Sequence, residues 1–144
     1  MKTSKNNYYL KALAITFAAS GVWDLIAGFM YFFAIGDGRI IDQPNTHPFY
    51  AVFLGSFFLC FAYLQWMSAF NIRLYAFNVG CLIIGRLFYF IQLYAFMAFE
   101  QNFPSTFWFT GIIDGIFTML YVIFAIGAGM GFRELFLPVK DTIR

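Results

Sequence analysis

Three ionisable residues stand in stretches otherwise apolar enough for a bilayer: Asp24, Arg86 and Asp114. They are the residues of this sequence best placed to do chemistry. Charged side chains inside a membrane segment are costly, and where they occur they pair with one another and mark functional sites. Two carboxylates and one guanidinium sum to a net charge of −1 if all are ionised. In a low dielectric an unpaired carboxylate takes up a proton sooner than it stays charged. Arg86 is therefore expected to pair with one acid while the other holds a proton, or the two acids share one. Such a trio can form the polar floor of a site for a lipophilic ligand or relay protons. It can also do acid/base chemistry where the surroundings set the two carboxylates apart, or only tie helices together.

The acids sit in nearly the same phrase. Ser20-Gly21-Val22-Trp23-Asp24 is followed by Ile26 and Tyr31, and Thr110-Gly111-Ile112-Ile113-Asp114 by Ile116 and Tyr121. At helical spacing, Phe17, Ser20, Gly21, Asp24, Ala27, Gly28 and Tyr31 share one stripe. Thr110, Gly111, Asp114, Thr118, Tyr121 and Ala125 form the matching stripe, with Ala128 further along. Around Arg86 the same rule gathers Asn78, Leu82, Gly85, Tyr89 and Gln92 on one arc and leaves Val79, Ile83 and Phe90 among the lipid-facing residues. The candidate polar core is thus Asp24, Arg86 and Asp114, lined by Ser20, Tyr31, Tyr89, Thr110, Thr118 and Tyr121. Tyr31, Tyr89 and Tyr121 are suited to orienting a substrate.

The elements that must position these groups are long helices. Of the 144 residues, 62% are hydrophobic and 11% charged, with 22 Phe and 9 Tyr. A soluble domain carries about 25% charged residues, so this chain has too little polar surface to face water. Four segments approach the roughly 20 residues that a bilayer core requires: about 10–35, 49–70, 75–99 and 107–130. They lack the period-two alternation of barrel strands. The first is too long for a signal h-region and is read as a retained helix. The link over Asn71-Ile72-Arg73-Leu74 is a tight turn, and Gly36 to Pro48 and Glu100 to Ser105 are rich in turn residues. Short links make sequential helices antiparallel neighbours, so the expected fold is one all-α domain, an up-down-up-down four-helix bundle. The second helix carries no charge and offers Ala51, Gly55, Ala62 and Ala69 as a seam for close approach, with Gln65 and Ser68 near its end. The run 132–137, with apolar residues at i, i+3 and i+4, is either a short interfacial helical turn or a frayed end.

A rise of about 1.5 Å per residue puts Asp24 roughly 21 Å and Arg86 roughly 16 Å from one face, with Asp114 roughly 10 Å from the other. All three then reach a common depth. Lys2, Lys5, Lys11, Arg73, Arg133, Lys140 and Arg144 fall on one side and Arg39 on the other, which predicts both termini in the cytoplasm.

Other chemistries are set aside by residue type. A net charge of +2 with no basic run offers no track for nucleic acid. His47 is the single histidine, which rules out a bis-His haem within one chain and a His-rich metal site. Asp37, Asp42 and His47 could gather a cation, but as loop residues they are read as facing water. Cys60 and Cys81 lie in apolar segments with no CxxC pair and are read as two small buried hydrophobes. There is no nucleotide-binding glycine loop and no Ser-His-Asp arrangement.

Trp23-Asp24, Gly55, Gly85-Arg86 and Asp114, spread over the four spans, resemble the small bacterial four-helix membrane proteins of the DoxX-like group. That resemblance implies an inner-membrane accessory subunit of a larger complex, or a binder of a quinone-like or lipid-like molecule. The chain departs from the group in its high Phe content. A fainter likeness, to four-helix sterol-isomerase and lipid-binding membrane proteins, implies a membrane enzyme acting by acid/base chemistry. Here an Arg lies between the acids. The partners expected are the lipid bilayer and either a larger membrane complex or further copies of this chain.

Overall fold

The computed structural model describes residues 2–36, 39–41, 48–100 and 107–137. They form α1 (Lys2–Phe33), α2 (Pro48–Phe70), α3 (Ala76–Phe99), α4 (Trp108–Gly127) and a short α5 (Phe132–Phe136). Within the first four, four stretches are long and apolar enough to cross a membrane: Asn6–Phe33, Pro48–Phe70, Ala76–Phe99 and Trp108–Gly127. The chain is a four-helix bundle of an integral membrane protein. Successive helices run antiparallel, so α1 begins and α4 ends on the side of the α2–α3 turn, the Arg73 side.

Close approach is governed by small residues. Gly28 and Gly55 face each other between α1 and α2, and a Cβ on Gly28 would lie 3.1 Å from the Gly55 carbonyl oxygen and 3.0 Å from a Leu59 methyl. Gly21 receives the flat of Trp66, whose indole N–H donates to the Ala18 carbonyl at 3.3 Å. Gly111 and Gly115 seat the side chains of Leu93, Tyr94 and Phe90 from α3. Their GxxxG spacing therefore serves as a groove for α3 side chains. Of the sequential helix pairs, α2 and α3 meet less extensively than α1 and α2 or α3 and α4, and α1 against α4 closes the bundle.

The expected bounds shift where local chemistry intervenes. Helix α1 begins well before residue 10, running on through the polar stretch that precedes its apolar part. Helix α4 stops at Gly127 rather than near 130. Gly129 takes φ of +72°, the Gly129 N–H donates to the Ile126 carbonyl at 2.9 Å, and the Met130 N–H donates to that of Ala125 at 3.0 Å. That is the Schellman pattern, in which a left-handed glycine ends a helix and a following apolar residue folds back on it. Met130 is accordingly buried.

The tail 132–137 is neither frayed nor merely laid on the lipid. Leu135 of α5 is buried in the core against α3, where Gly80 leaves room for its carbonyl. Arg73 fixes it from the turn: one guanidinium nitrogen donates to the Ala128 carbonyl at 2.7 Å and the other pairs with Glu134 at 3.1 Å. This docking rotates the inner arc of α3 from the one expected. Val79, Gly80 and Ile83 are buried, while Gly85 and Gln92 face outward.

The bundle is unequal along its length. Towards the Arg73 side, Leu13, Phe17, Val79, Leu82, Tyr121 and Ala125 belong to one continuous apolar plug, with Phe17 and Tyr121 stacked at 4.2 Å. Towards the opposite side the helices part around a cavity. The polar residues form the layer between.

Candidate functional site

The layer is built around Arg86, delivered by the inner arc of α3. Its Nη2 donates to Asp24 Oδ2 at 2.8 Å, and its Nη1 pairs with Asp114 Oδ1. Asp24, Arg86 and Asp114 are 3%, 7% and 6% exposed, so the whole triad is withdrawn from solvent and lipid. The guanidinium carbon lies 5.2 Å from the centre of the Phe117 ring, a cation–π contact on a face the carboxylates leave open. Arg86 therefore serves both acids at once. The sequence left open whether it pairs with one acid or stands beside two that share a proton.

Gln65 of α2 is the second hub, and residue-type reasoning from the charges passed over it. It is fully buried. Its Nε2 donates to Asp24 Oδ2, and its Oε1 accepts from the Ser20 hydroxyl and, at 3.4 Å, from Arg86 Nη2. Ser20 in turn meets the Tyr121 hydroxyl. An amide can donate and accept at once, which lets Gln65 connect a carboxylate to two hydroxyls with no added charge. Its signal in the sequence was positional: Gln65 follows Ala62 by three residues on the small-residue seam of α2, the face that meets α1.

The nine candidate residues thus divide. Ser20, Asp24, Arg86 and Tyr121 join with Gln65 in a closed network sealed below by the apolar plug. Asp114 stands on the far side of Arg86. Tyr31, Tyr89 and Thr110 lie beyond it, and with Asp114 they line a cavity of about 280 Å³. Thr118 joins neither group: its hydroxyl donates to the Asp114 backbone carbonyl one turn back at 2.8 Å. A helical threonine commonly satisfies itself this way.

The cavity is walled mainly by α1 and α4, with Trp23, Ile26, Met30 and Ile35 on one side and Phe107 and Phe109 on the other. Ile41 closes over it, held by the backbone bridge between Ile35 and Ile41. Its polar groups are few and directed. The Tyr89 hydroxyl pairs with Thr110 at 2.8 Å, and Thr110 donates to the Phe107 carbonyl at 2.7 Å. Tyr31 stacks on Phe58 at 5.6 Å, and its hydroxyl has no hydrogen-bond partner among the described residues. Neither has Asp114 Oδ2.

No family model, curated protein or solved structure matches this chain. Its chemistry is therefore read from the site alone. Among the described residues no group of three or more His, Cys, Asp or Glu side chains is placed to hold a metal ion. Cys60 and Cys81 are free thiols on the outer surface rather than buried as expected, because each falls on the outward face of its helix. What the arrangement offers is an apolar chamber ending on a carboxylate that a buried arginine holds in place, with a phenol beside it free to bond.

Proposed function

We propose that this protein is a membrane-embedded binder of a lipid-like or quinone-like small molecule. The observation that carries the reading is the cavity ending on Asp114, with the Tyr31 hydroxyl and Asp114 Oδ2 at its wall unengaged among the described residues. Ligand sites are mostly apolar with a small number of placed polar groups, and span ~300–1,000 Å³. At about 280 Å³ this one has nearly twice the ~150 Å³ that accepts benzene in an apolar core, room for a two-ring head or a short branched chain.

Binding is favoured over two-acid catalysis by the division of the acids. Asp24 is enclosed by Gln65 and Arg86 and is not among the residues lining the cavity, so a bound molecule meets one carboxylate. The likeness to the DoxX-like group supports an accessory role beside a redox partner in a bacterial inner membrane. The surplus of Lys and Arg on the Arg73 side supports termini in the cytoplasm.

The test is native mass spectrometry of protein extracted gently from its own membrane, beside an Ala27→Phe variant that fills the cavity. A small lipophile retained by the wild type and lost from the variant is the expected result. Wild-type protein free of any small ligand but associated with another protein, unchanged in the variant, would make the polar layer structural and the chain a subunit only.

A further inference from the structure

The charges behind the cavity say more about its occupant than its shape does. Among the described residues Asp114 is the only formally charged one lining it, and six of the other lining residues are aromatic: Trp23, Tyr31, Phe58, Tyr89, Phe107 and Phe109. Behind Asp114 stands a triad of two carboxylates around one guanidinium, one negative charge in excess. The basic residues near it are committed elsewhere. Arg86 gives its two Nη groups to the acids and Gln65, and its buried Nε has no partner among the described residues. Arg39 donates to the carbonyls of Phe32 at 2.7 Å and Ile35 at 3.5 Å and does not line the cavity. Arg73 lies at the other end of the bundle on Ala128 and Glu134.

A carboxylate in excess in low dielectric is met either by a proton or by an opposite charge. With a neutral ligand the triad keeps its proton and an anion adds to the excess, whereas a monocation takes the proton's place. Aromatic faces carry the negative side of the ring quadrupole and attract organic cations, as in the cages that hold quaternary ammonium groups. We propose that the occupant is a monocationic lipophile, an ammonium with apolar substituents. Its charge rests against Asp114 and its substituents lie among the rings of Trp23, Tyr31 and Phe58. This rests on the reading of the cavity as a ligand site and names the chemical class that it takes.

The test uses the full chain in nanodiscs and two probes of one shape, benzyltrimethylammonium and its neutral carbon counterpart neopentylbenzene, with menadione as a neutral quinone. The readout is the indole N–H resonance of Trp23, compared at equal mole fraction in the bilayer. The expected result is a preference of about tenfold or more for the cation over its counterpart, the scale of one desolvated cation–π and charge contact. Asp114→Asn should bring that preference to about one while the neutral probe still shifts Trp23. Tyr31→Leu, which leaves the triad intact, should lower the preference without removing it. Equal binding of cation and counterpart, or tighter binding of menadione, would overturn the cationic class and leave the ligand site standing. Failure of all three probes to move Trp23 would overturn the class and the ligand site together.

Discussion

Asp24 and Asp114 lie on opposite sides of the Arg86 guanidinium, one on Nη2 and one on Nη1, and only Asp114 borders the cavity. The two acids arise from matching phrases in α1 and α4, yet their surroundings give them different work. Asp24 is the inner anchor, with Gln65 and Arg86 both donating to the same oxygen. Asp114 is the outer one, held by one oxygen and open by the other.

That asymmetry separates their variants. Asp24→Asn is expected to lower thermal stability in detergent while the small molecule proposed for the cavity stays bound. Asp114→Asn is expected to release the molecule while Arg86 remains paired with Asp24. Arg86→Leu strands both carboxylates, and breaking a buried pair costs about 3–5 kcal/mol. A large loss of folded protein should follow, with the triple replacement of Asp24, Arg86 and Asp114 by leucine regaining most of it. Unfolding midpoints and native mass spectra of the same preparations check both halves. Equal ligand loss from the two Asn variants would contradict the division.

Gln65→Leu keeps the volume of the amide and removes its hydrogen bonds. Asp24, Ser20 and Arg86 each lose a partner in a dry site, and each buried polar group left unpaired costs about 1–3 kcal/mol. The variant should be markedly less stable than Gln92→Leu, whose side chain faces outward on α3. Comparable midpoints for the two would show that Gln65 is not a hub.

Gly28 and Gly85 offer a matched pair. A Cβ on Gly28 would crowd the Gly55 carbonyl and Leu59, whereas one on Gly85 meets nothing within 4 Å. Gly28→Leu should part α1 from α2 and abolish the folded state, overpacking of this kind costing about 1–3 kcal/mol or more. Gly85→Leu should be neutral or slightly stabilising, since a mid-helix glycine costs about 0.5–1 kcal/mol. Yield and midpoint after purification decide between them, and sensitivity at Gly85 would point to a protein surface covering that face.

At Gly129 the backbone is left-handed, so Gly129→Ala should cost about 1–2 kcal/mol. The loss should begin at α5, which depends on this turn to bring Leu135 against α3. Amide hydrogen exchange would register it as faster exchange at Leu135 and Leu137, whose N–H groups bond Gly131 and Arg133, before the plug around Phe17 responds. Uniform loosening of the whole bundle would argue against a local latch.

The sequence by itself determined the membrane class, the four spans, their antiparallel order and the inward stripes of α1 and α4. These follow from composition and from the 3.6-residue period, properties of each helix taken alone. The stripe on α4 is buried as its spacing predicts, through Gly111, Asp114, Thr118, Tyr121 and Ala125. The inner arc of α3 was not legible, because which face turns inward was set by α5 folding back over Gly80. Nor was the role of Gln65, an uncharged residue whose importance comes from four side chains on three other helices converging on it. The separation of Asp24 from Asp114 likewise belongs to tertiary structure. Similar local phrases place both acids on inward faces, but where helices pack tightly and where they part is settled between helices. Glycines seat α1 on α2, and the rings of Trp23, Tyr31 and Phe107 hold α1 and α4 open around the cavity.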